Sequence, residues 1–373
     1  MKYDVVIIGG GLAGLTAAIH LAKHETRVVV IEKNDYPNHK VCGEYVSNEV
    51  KPYLQHLGFD VDQQTSISID TLAVSTRSGK TVTTKLPLGG FGISRYAFDS
   101  TLHTIAKAQG VDFIHDTVIA TGFYTDRFQI ETTKGSQLEV PLVIGAFGKR
   151  SILDRKLDRA FSRQKSPWLG VKCHYQLDDF PEHLVALHNF EGGYGGLSKT
   201  ETGAVNFCYL TKFESFQQCS NIADFNERVV AKNPVLAKFL KTAVPLFEKP
   251  LSIAQISFAK KFPVEQHMLM CGDSAGLIHP LCGNGMAMAI HAAKIAAEEV
   301  LCYLKGESKR AGLEQRYAER WKNQMQGRLW MGRQLQRLLM NATASNIAMH
   351  TIANSENLLK AMIRQTHGKP ILV

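Results

Sequence analysis

A strand-like apolar run, Met268 to Cys271, leads into Gly272-Asp273-Ser274-Ala275-Gly276 and on through His279-Pro280 to Gly283-Asn284-Gly285. This spacing delivers one carboxylate at the end of a strand and a glycine-opened helix about a turn of loop later. Asp273 can accept hydrogen bonds from the hydroxyls of a sugar-like chain, and the unpaired N–H groups at the helix start offer positive potential to an electron-rich ring edge. At the other end of the chain, Gly9-x-Gly11-x-x-Gly14 directly follows a buried-strand run and opens a helix. Gly9 allows the tight turn, Gly11 lets backbone approach a pyrophosphate, and Gly14 permits close helix packing. Leu12 and Ala13 share that turn. Glu32, followed by Lys33, ends a second strand about 20 residues later, where a carboxylate pairs with ribose hydroxyls and disfavours a 2′-phosphate. The two segments read as opposite ends of one dinucleotide site.

The elements that must position these residues follow from periodicity. A strand at 3–8, a helix at 14–23 and a strand at 27–31 make a βαβ opening. Residues 45–57 read as a helix interrupted at Pro52, and 67–77 with 80–86 as a hairpin around Ser78-Gly79. A helix is expected at 96–109, then strands at 111–115, 117–124, 127–133 and 137–145. Further strands at 169–177, 184–190, 204–211 and 252–258, with a helical patch at 222–240, suggest a mainly antiparallel second unit. Helices at 285–303 and 311–341 close the chain, the latter with Trp321, Met325, Leu329, Leu335 and Leu339 at core-packing spacing. The expected fold class is therefore α/β: a discontinuous Rossmann-like nucleotide domain (1–66, 92–160, 259–305), a mainly antiparallel sheet substrate domain (67–91, 161–258) and a basic C-terminal helical cap (306–373).

Composition excludes several classes. With 373 residues, 45% of them hydrophobic and 21% charged, the chain can bury a large core, and disorder is not expected to dominate. The seven cysteines are scattered, with no C-x-x-C and no zinc-like spacing, so no metal site is expected and a reducing cytoplasm is. Asp4 interrupts the order expected of a signal peptide, so the start reads as mature sequence. No stretch approaches the roughly 20 apolar residues needed to span a bilayer, which implies a soluble or membrane-peripheral protein. The net charge of +9 is concentrated in the last segment, 305–373, which carries 12 Lys/Arg against 4 Glu. That segment reads either as a solvated helical face or as a peripheral contact with an anionic membrane near Trp321 and Trp330. No nucleic-acid motif accompanies it.

Four segments carry a resemblance: Gly9 to Glu32, Pro37-x-x-Lys40-x-Cys42-Gly43-Glu44, Arg95-x-x-Phe98-Asp99-x-x-Leu102, and Gly272-Asp273 through Gly285. Together they resemble the flavoprotein superfamily of the p-hydroxybenzoate hydroxylase fold and, within it, are similar to the geranylgeranyl reductase branch. The resemblance implies a glutathione-reductase-type domain binding FAD. By it, Asp273 would bond the ribitol chain, Gly283, Asn284, Gly285 and Met286 would face the flavin pyrimidine edge, and Arg95 would lie along the cofactor. Val118 would touch adenine through its backbone, while Cys42, Gly43 and Glu44 would border the ring and the substrate cavity. Cys42, Glu44 and His279 are the catalytic candidates. For Cys42 a packing role competes with a redox or proton-transfer one, and for His279 a structural role competes with proton handling.

Two departures from the pattern shape the expected function. Where the superfamily usually carries an Asp-Gly pair used at the pyrophosphate and with nicotinamide cofactors, this chain reads Ala146-Phe147-Gly148, leaving direct NAD(P)H use open. In place of the reductase branch's Trp-containing motif stands Gly192-Gly193-Tyr194-Gly195-Gly196-Leu197. The expectation is an FAD-dependent oxidoreductase of a lipophilic or aromatic small molecule, with monooxygenase slightly ahead of a geranylgeranyl reductase-like double-bond reductase. A halogenase ranks lower because no W-x-W-x-I-P segment occurs. A flavin-free carrier of prenylated proteins is the alternative from outside enzymology.

Overall fold

The computed structural model describes residues 2–278, 283–340, 363 and 368–372. At its centre is a six-stranded sheet in the order Val264–Glu265, Met268–Met270, Leu142–Gly145, Val5–Ile8, Val28–Glu32, Asp112–His115. All neighbours are parallel except the first pair. Parallel strands need cover on both faces, and the continuous apolar run Val5-Val6-Ile7-Ile8, wholly buried, is what that cover demands of sequence. The helices Leu12–Ala22 and Gly285–Leu304 pack together beside it. The carboxyl ends of Val5–Ile8 and Met268–Met270 thus deliver the Gly9 turn and the Asp273 loop to the same side of one sheet.

A second, nine-stranded sheet builds the other half of the molecule. Its order is Val244–Pro245, Trp168–Gln176, Val205–Lys212, Gly193–Lys199, Leu184–Phe190, Ser68–Ser75, Thr81–Gly92, Tyr45–Ser47, with Leu251–Ala254 also on Trp168–Gln176. It is antiparallel apart from the parallel pair Leu184–Phe190 with Ser68–Ser75. A three-stranded sheet, Val118–Tyr124, Arg127–Thr132 and Gln137–Val140, completes the β structure.

Three expectations need correction. Residues 45–57 are not one interrupted helix: Tyr45–Ser47 pairs as a strand with Gly90–Gly92, and the helix is only Lys51–His56, with Pro52 in its first turn where a missing N–H is harmless. A Cβ on Gly90 would lie 2.4 Å from the Tyr45 ring, so glycine makes that pairing fit. Residues 137–145 are two strands rather than one, parted at Pro141 and belonging to different sheets. Gly193–Lys199 is a strand that glycine content conceals from propensity. There the Phe190 and Phe207 rings occupy the space that Cβ atoms on Gly193 and Gly195 would take, at 2.6 and 2.5 Å.

The C-terminal helix Arg310–Met340 lays Leu313, Tyr317, Trp321 and Met325 into the core of the first sheet's unit, with Leu329 packed against it, as the helical spacing predicts. The side chains of Leu335 and Leu339 lie outside the described residues. Much of the helix's positive charge is internally committed. Arg310 pairs with Asp126, Arg316 with Glu299 (2.7 Å), Arg320 with Glu298 and Glu299 (2.8 Å to the latter), and Arg328 with buried Glu49 (2.9 Å). Among the described residues no helix is long and apolar enough to cross a membrane.

Candidate functional site

One cavity of about 620 Å³ runs along the carboxyl ends of the parallel strands and on between the two sheets. At one end are the Gly9 turn and Glu32. Gly9 has φ of +105°, and a Cβ there would lie 2.4 Å from the Ala146 carbonyl oxygen. On Gly14 a Cβ would sit 1.9 Å from the Gly9 carbonyl, so both glycines are fixed by packing. Gly11 differs: its Cβ position meets only the Arg95 and Lys40 side-chain nitrogens, at 3.5 and 3.9 Å. It is open toward cations, as a turn that takes in a phosphate should be. Glu32 accepts from the Gly10 N–H (2.7 Å) and from the N–H and side-chain amide of Asn34 (both 3.0 Å).

The two cations are held by one acid. Arg95 donates to Asp99 through Nε and Nη2, each at 2.7 Å, and Lys40 donates to the same carboxylate at 2.7 Å. Asp99 is fully buried; burial alone would raise its pKa, but Arg95 and Lys40 outweigh that and hold it below the usual carboxylate range. Two cations on one anion leave net positive charge beside Gly11.

At the far end, Asp273 lies in the short 3₁₀ turn Gly272–Ser274. Cations brace this turn from behind: Lys261 donates to the Asp273 carbonyl (2.6 Å) and Arg159 to the Ser274 carbonyl (2.9 Å). Burial lowers the Lys261 pKa to about 8. Arg159 is itself fixed by Asp154 (2.9 Å) and Glu265 (3.2 Å), and the Ser274 hydroxyl accepts from the Gly148 N–H (3.0 Å). Asp273 lines the cavity on this braced turn. Beyond it, Gly283 has φ of +64°, and the helix Gly285–Leu304 begins with no side-chain cap and no acid in its first turn. The helix Leu12–Ala22 has the same two features. Two long helices therefore direct uncapped, positive N-termini at one cavity.

The second sheet supplies the remaining wall, and its inward face divides by chemistry. Strand register sets Gly170 beside Leu210, Lys172 beside Cys208 and Gly196, and His174 beside Asn206 and Ser198. Leu187 and Val185 follow on the next strand, then Val74 and Leu72. One corner of the face is polar, and the rest is mainly aliphatic, with the Tyr194 ring and Cys208 set among the leucines and valines. The polar corner grips the loop at residues 40–44. Glu44, fully buried with φ of +57°, accepts from Lys172, from His174 Nε2 (2.7 Å) and from the Arg95 N–H (2.7 Å). Burial pushes the Glu44 pKa up, but His174 and Lys172 outweigh it and keep the group ionised.

The structure brings most of the expected residues to this cavity. Gly9, Gly11, Leu12, Ala13, Glu32, Lys33, Cys42, Gly43, Glu44, Arg95, Asp273, Gly283, Gly285 and Met286 all line it. Gly14, Asn284 and Val118 do not: Gly14 serves the helix–turn packing, Asn284 is the buried residue before the helix, and Val118 begins the small sheet. His279 lies outside the described residues. Lys172, Asn206, Ser198, Lys149, Lys261 and Arg159 were not foreseen. A lysine two residues from a histidine in an otherwise apolar strand, Lys172 and His174, is the one sequence signal that could have marked the polar corner.

Residues 97–326 match the FAD binding domain family, and residues 4–42 match the FAD dependent oxidoreductase family. The chain belongs to the FAD binding domain family. It is an FAD-dependent oxidoreductase, and the site fits that cofactor: an open glycine turn between cations, a carboxylate at each end, and two uncapped helix N-termini. Among curated proteins this flavoprotein is 25% identical to digeranylgeranylglycerophospholipid reductase 2 of Methanothermobacter thermautotrophicus, over 87% of this chain and 84% of that one. It is 23% identical to menaquinone reductase of Mycobacterium tuberculosis, over 79% and 76%. Solved structures of the same fold include the flavin-dependent brominase Bmp2 (TM-score 0.78, 18% identity, 98% and 93% covered). Pseudomonas aeruginosa PqsL in complex with 2-aminobenzoylacetate is another (TM-score 0.75, 17% identity, 92% and 98%).

Proposed function

We propose that this flavoprotein is a reductase of carbon–carbon double bonds in a long apolar chain of prenyl type. The observation that carries the reading is the division of the substrate sheet's inner face. Its charged side chains are committed to the 40–44 loop, and what remains for a substrate is a mainly aliphatic wall of Leu72, Val74, Val185, Leu187 and Leu210, with Tyr194 and Cys208 its few polar members. Hydroxylation of an aromatic ring calls for polar groups that orient and activate that ring, whereas an aliphatic wall suits a hydrocarbon chain. The names of the curated relatives, reductases of a geranylgeranyl lipid and of menaquinone, support the same choice over the monooxygenase alternative.

In this reading Gly9, Gly11, Leu12, Ala13, Arg95 and Lys33 seat the dinucleotide, Glu32 takes the ribose and Asp273 the ribitol. Gly283 to Met286 meet the ring edge that becomes electron-rich on reduction. Once reduced by its electron donor, bound flavin would supply the hydride and return to FAD, and a proton from solvent would complete the added pair of hydrogens. The aliphatic wall excludes water and aligns the double bond, and Cys42, Gly43 and Glu44 border the place where the two meet. Phe147, standing where the superfamily pattern has an acid, supports an electron donor other than NAD(P)H bound directly.

Anaerobic incubation of the dithionite-reduced protein with a geranylgeranyl lipid tests the reading by mass spectrometry. A gain of two hydrogens per reduced bond is expected. Absence of that gain, together with oxygen-dependent incorporation of one oxygen atom under air, would replace it with the monooxygenase.

A further inference from the structure

Four consecutive carbonyls of the 40–44 loop are each taken by a side chain from a distant part of the chain. Lys172 Nζ donates to the Lys40 carbonyl (3.2 Å), Lys149 Nζ to that of Val41 (3.0 Å), Asn206 Nδ2 to that of Cys42 (3.1 Å) and Ser198 Oγ to that of Gly43 (3.2 Å). Lys172, Asn206 and Ser198 are all buried. In a planar trans peptide the carbonyl and the following N–H point in opposite directions. Fixing the carbonyls of residues 41–43 therefore turns the N–H groups of Cys42, Gly43 and Glu44 away from these donors, and none of the three donates to another described residue. The same three residues line the cavity where the cofactor site meets the aliphatic wall. A loop with no regular structure of its own is held by three side chains of the second sheet and by Lys149, which follows the strand Leu142–Gly145 of the first.

Charge follows the same arrangement. Glu44 is a buried anion on the cavity, and its partner Lys172 lies behind it, fully buried and not on the lining. Lys172 acts through Glu44 and the loop.

We propose that this polar corner is a positioning device for the cofactor: Asn206 and Ser198 fix the peptide planes of the 41–44 loop, and Lys172 cancels the charge of Glu44 beside the end of FAD that gains electrons. Lys172 is then a positioning residue whose removal discriminates between the two redox states. The inference rests on FAD binding and is independent of the substrate.

The test uses the full chain, with dissociation constants measured for oxidised FAD by fluorescence and for dithionite-reduced FAD anaerobically, and with visible circular dichroism of the bound cofactor. Lys172→Met is expected to weaken the reduced form about tenfold more than the oxidised form, because the buried Glu44 carboxylate, left with His174 and the Arg95 N–H, loses its lysine counter-charge and opposes added negative charge. Lys172→Arg should restore the ratio. The double variant Ser198→Ala, Asn206→Ala should alter the visible dichroism while leaving that ratio near the wild-type value. Equal weakening of both forms in Lys172→Met, or an unchanged ratio, would overturn the charge assignment. Wild-type dichroism in the double variant would overturn the positioning role, and this arm stands even if Lys172→Met fails to fold.

Discussion

At the scale of single residues, the glycines of the first turn separate folding from binding. A Cβ on Gly14 meets backbone at 1.9 Å, with nothing flexible to yield, whereas one on Gly11 meets only the ends of two long cationic side chains. Gly14→Ala is therefore expected to lower stability by roughly 2–4 kcal/mol, read as a fall in Tm. Gly11→Val should keep a near-wild-type Tm yet lose at least about tenfold in FAD affinity by fluorescence titration, since the branch fills the approach to the pyrophosphate. Asp273→Ala belongs with Gly11: its loop is braced by Lys261 and Arg159 through carbonyls that the substitution leaves in place. We expect a cofactor affinity loss of about ten- to hundredfold, the equivalent of one or two charge-assisted hydrogen bonds, with little change in melting. Identical losses of Tm and affinity in all three would show that these roles are not separable.

Between elements, the C-terminal helix proves to be part of the site's foundation. Trp321 stacks where a Cβ on Gly276 would lie 3.2 Å from its ring, and Tyr317 donates to the Met270 carbonyl one strand-end away from Asp273. Truncating Trp321 to Ala should cost about 3–5 kcal/mol as a buried aromatic deletion. It should also weaken FAD binding although the residue is remote from Gly11 and Glu32. Urea denaturation with and without FAD measures both effects; a stability loss with unchanged affinity would place the helix outside the site. The basic helix illustrates a limit of reading charge from sequence. Composition counts each arginine of this helix alike, but Arg310, Arg316, Arg320 and Arg328 are partnered by acids from three other parts of the chain.

For the whole molecule, burial of neutral histidines sets the response to acid. His20 and His188 are both lowered to about 4, by burial first and, at His188, by burial alone. Each has a hydroxyl partner, Tyr53 for His20 (2.7 Å) and Ser75 for His188 (2.8 Å). Below the ordinary histidine value the unfolded chain takes up protons that the folded one refuses. Stability is therefore full above about pH 6.5 and falls as pH drops toward 4, by at most about 1.4 kcal/mol per pH unit for each such histidine. Glu44 and Asp99, held low, add loss at still lower pH. Tm measured from pH 8 to 4.5 should decline through that window, and His188→Gln should flatten the decline; a Tm independent of pH there would show that these histidines titrate normally.

Local spacing in the sequence determined the two ends of the cavity that fits the cofactor. A glycine turn, a strand-end acid and a glycine-opened helix each declare themselves within a few residues, because the backbone geometry they need is itself local. The helical stripe of Trp321 and Met325 was legible for the same reason. The strand Gly193–Lys199 was not, since its glycines are explained only by the Phe190 and Phe207 rings that fill their places. Nor was the grip on the 40–44 loop, whose donors Lys149, Lys172, Ser198 and Asn206 lie far away in sequence and reach the loop only once the two sheets have come together. Tertiary structure decided which corner of the second sheet's inner face is polar, which part is mainly aliphatic, and that both face one cavity with the Gly9 turn and Asp273, because pairing register between distant strands leaves no mark on the spacing of any one of them.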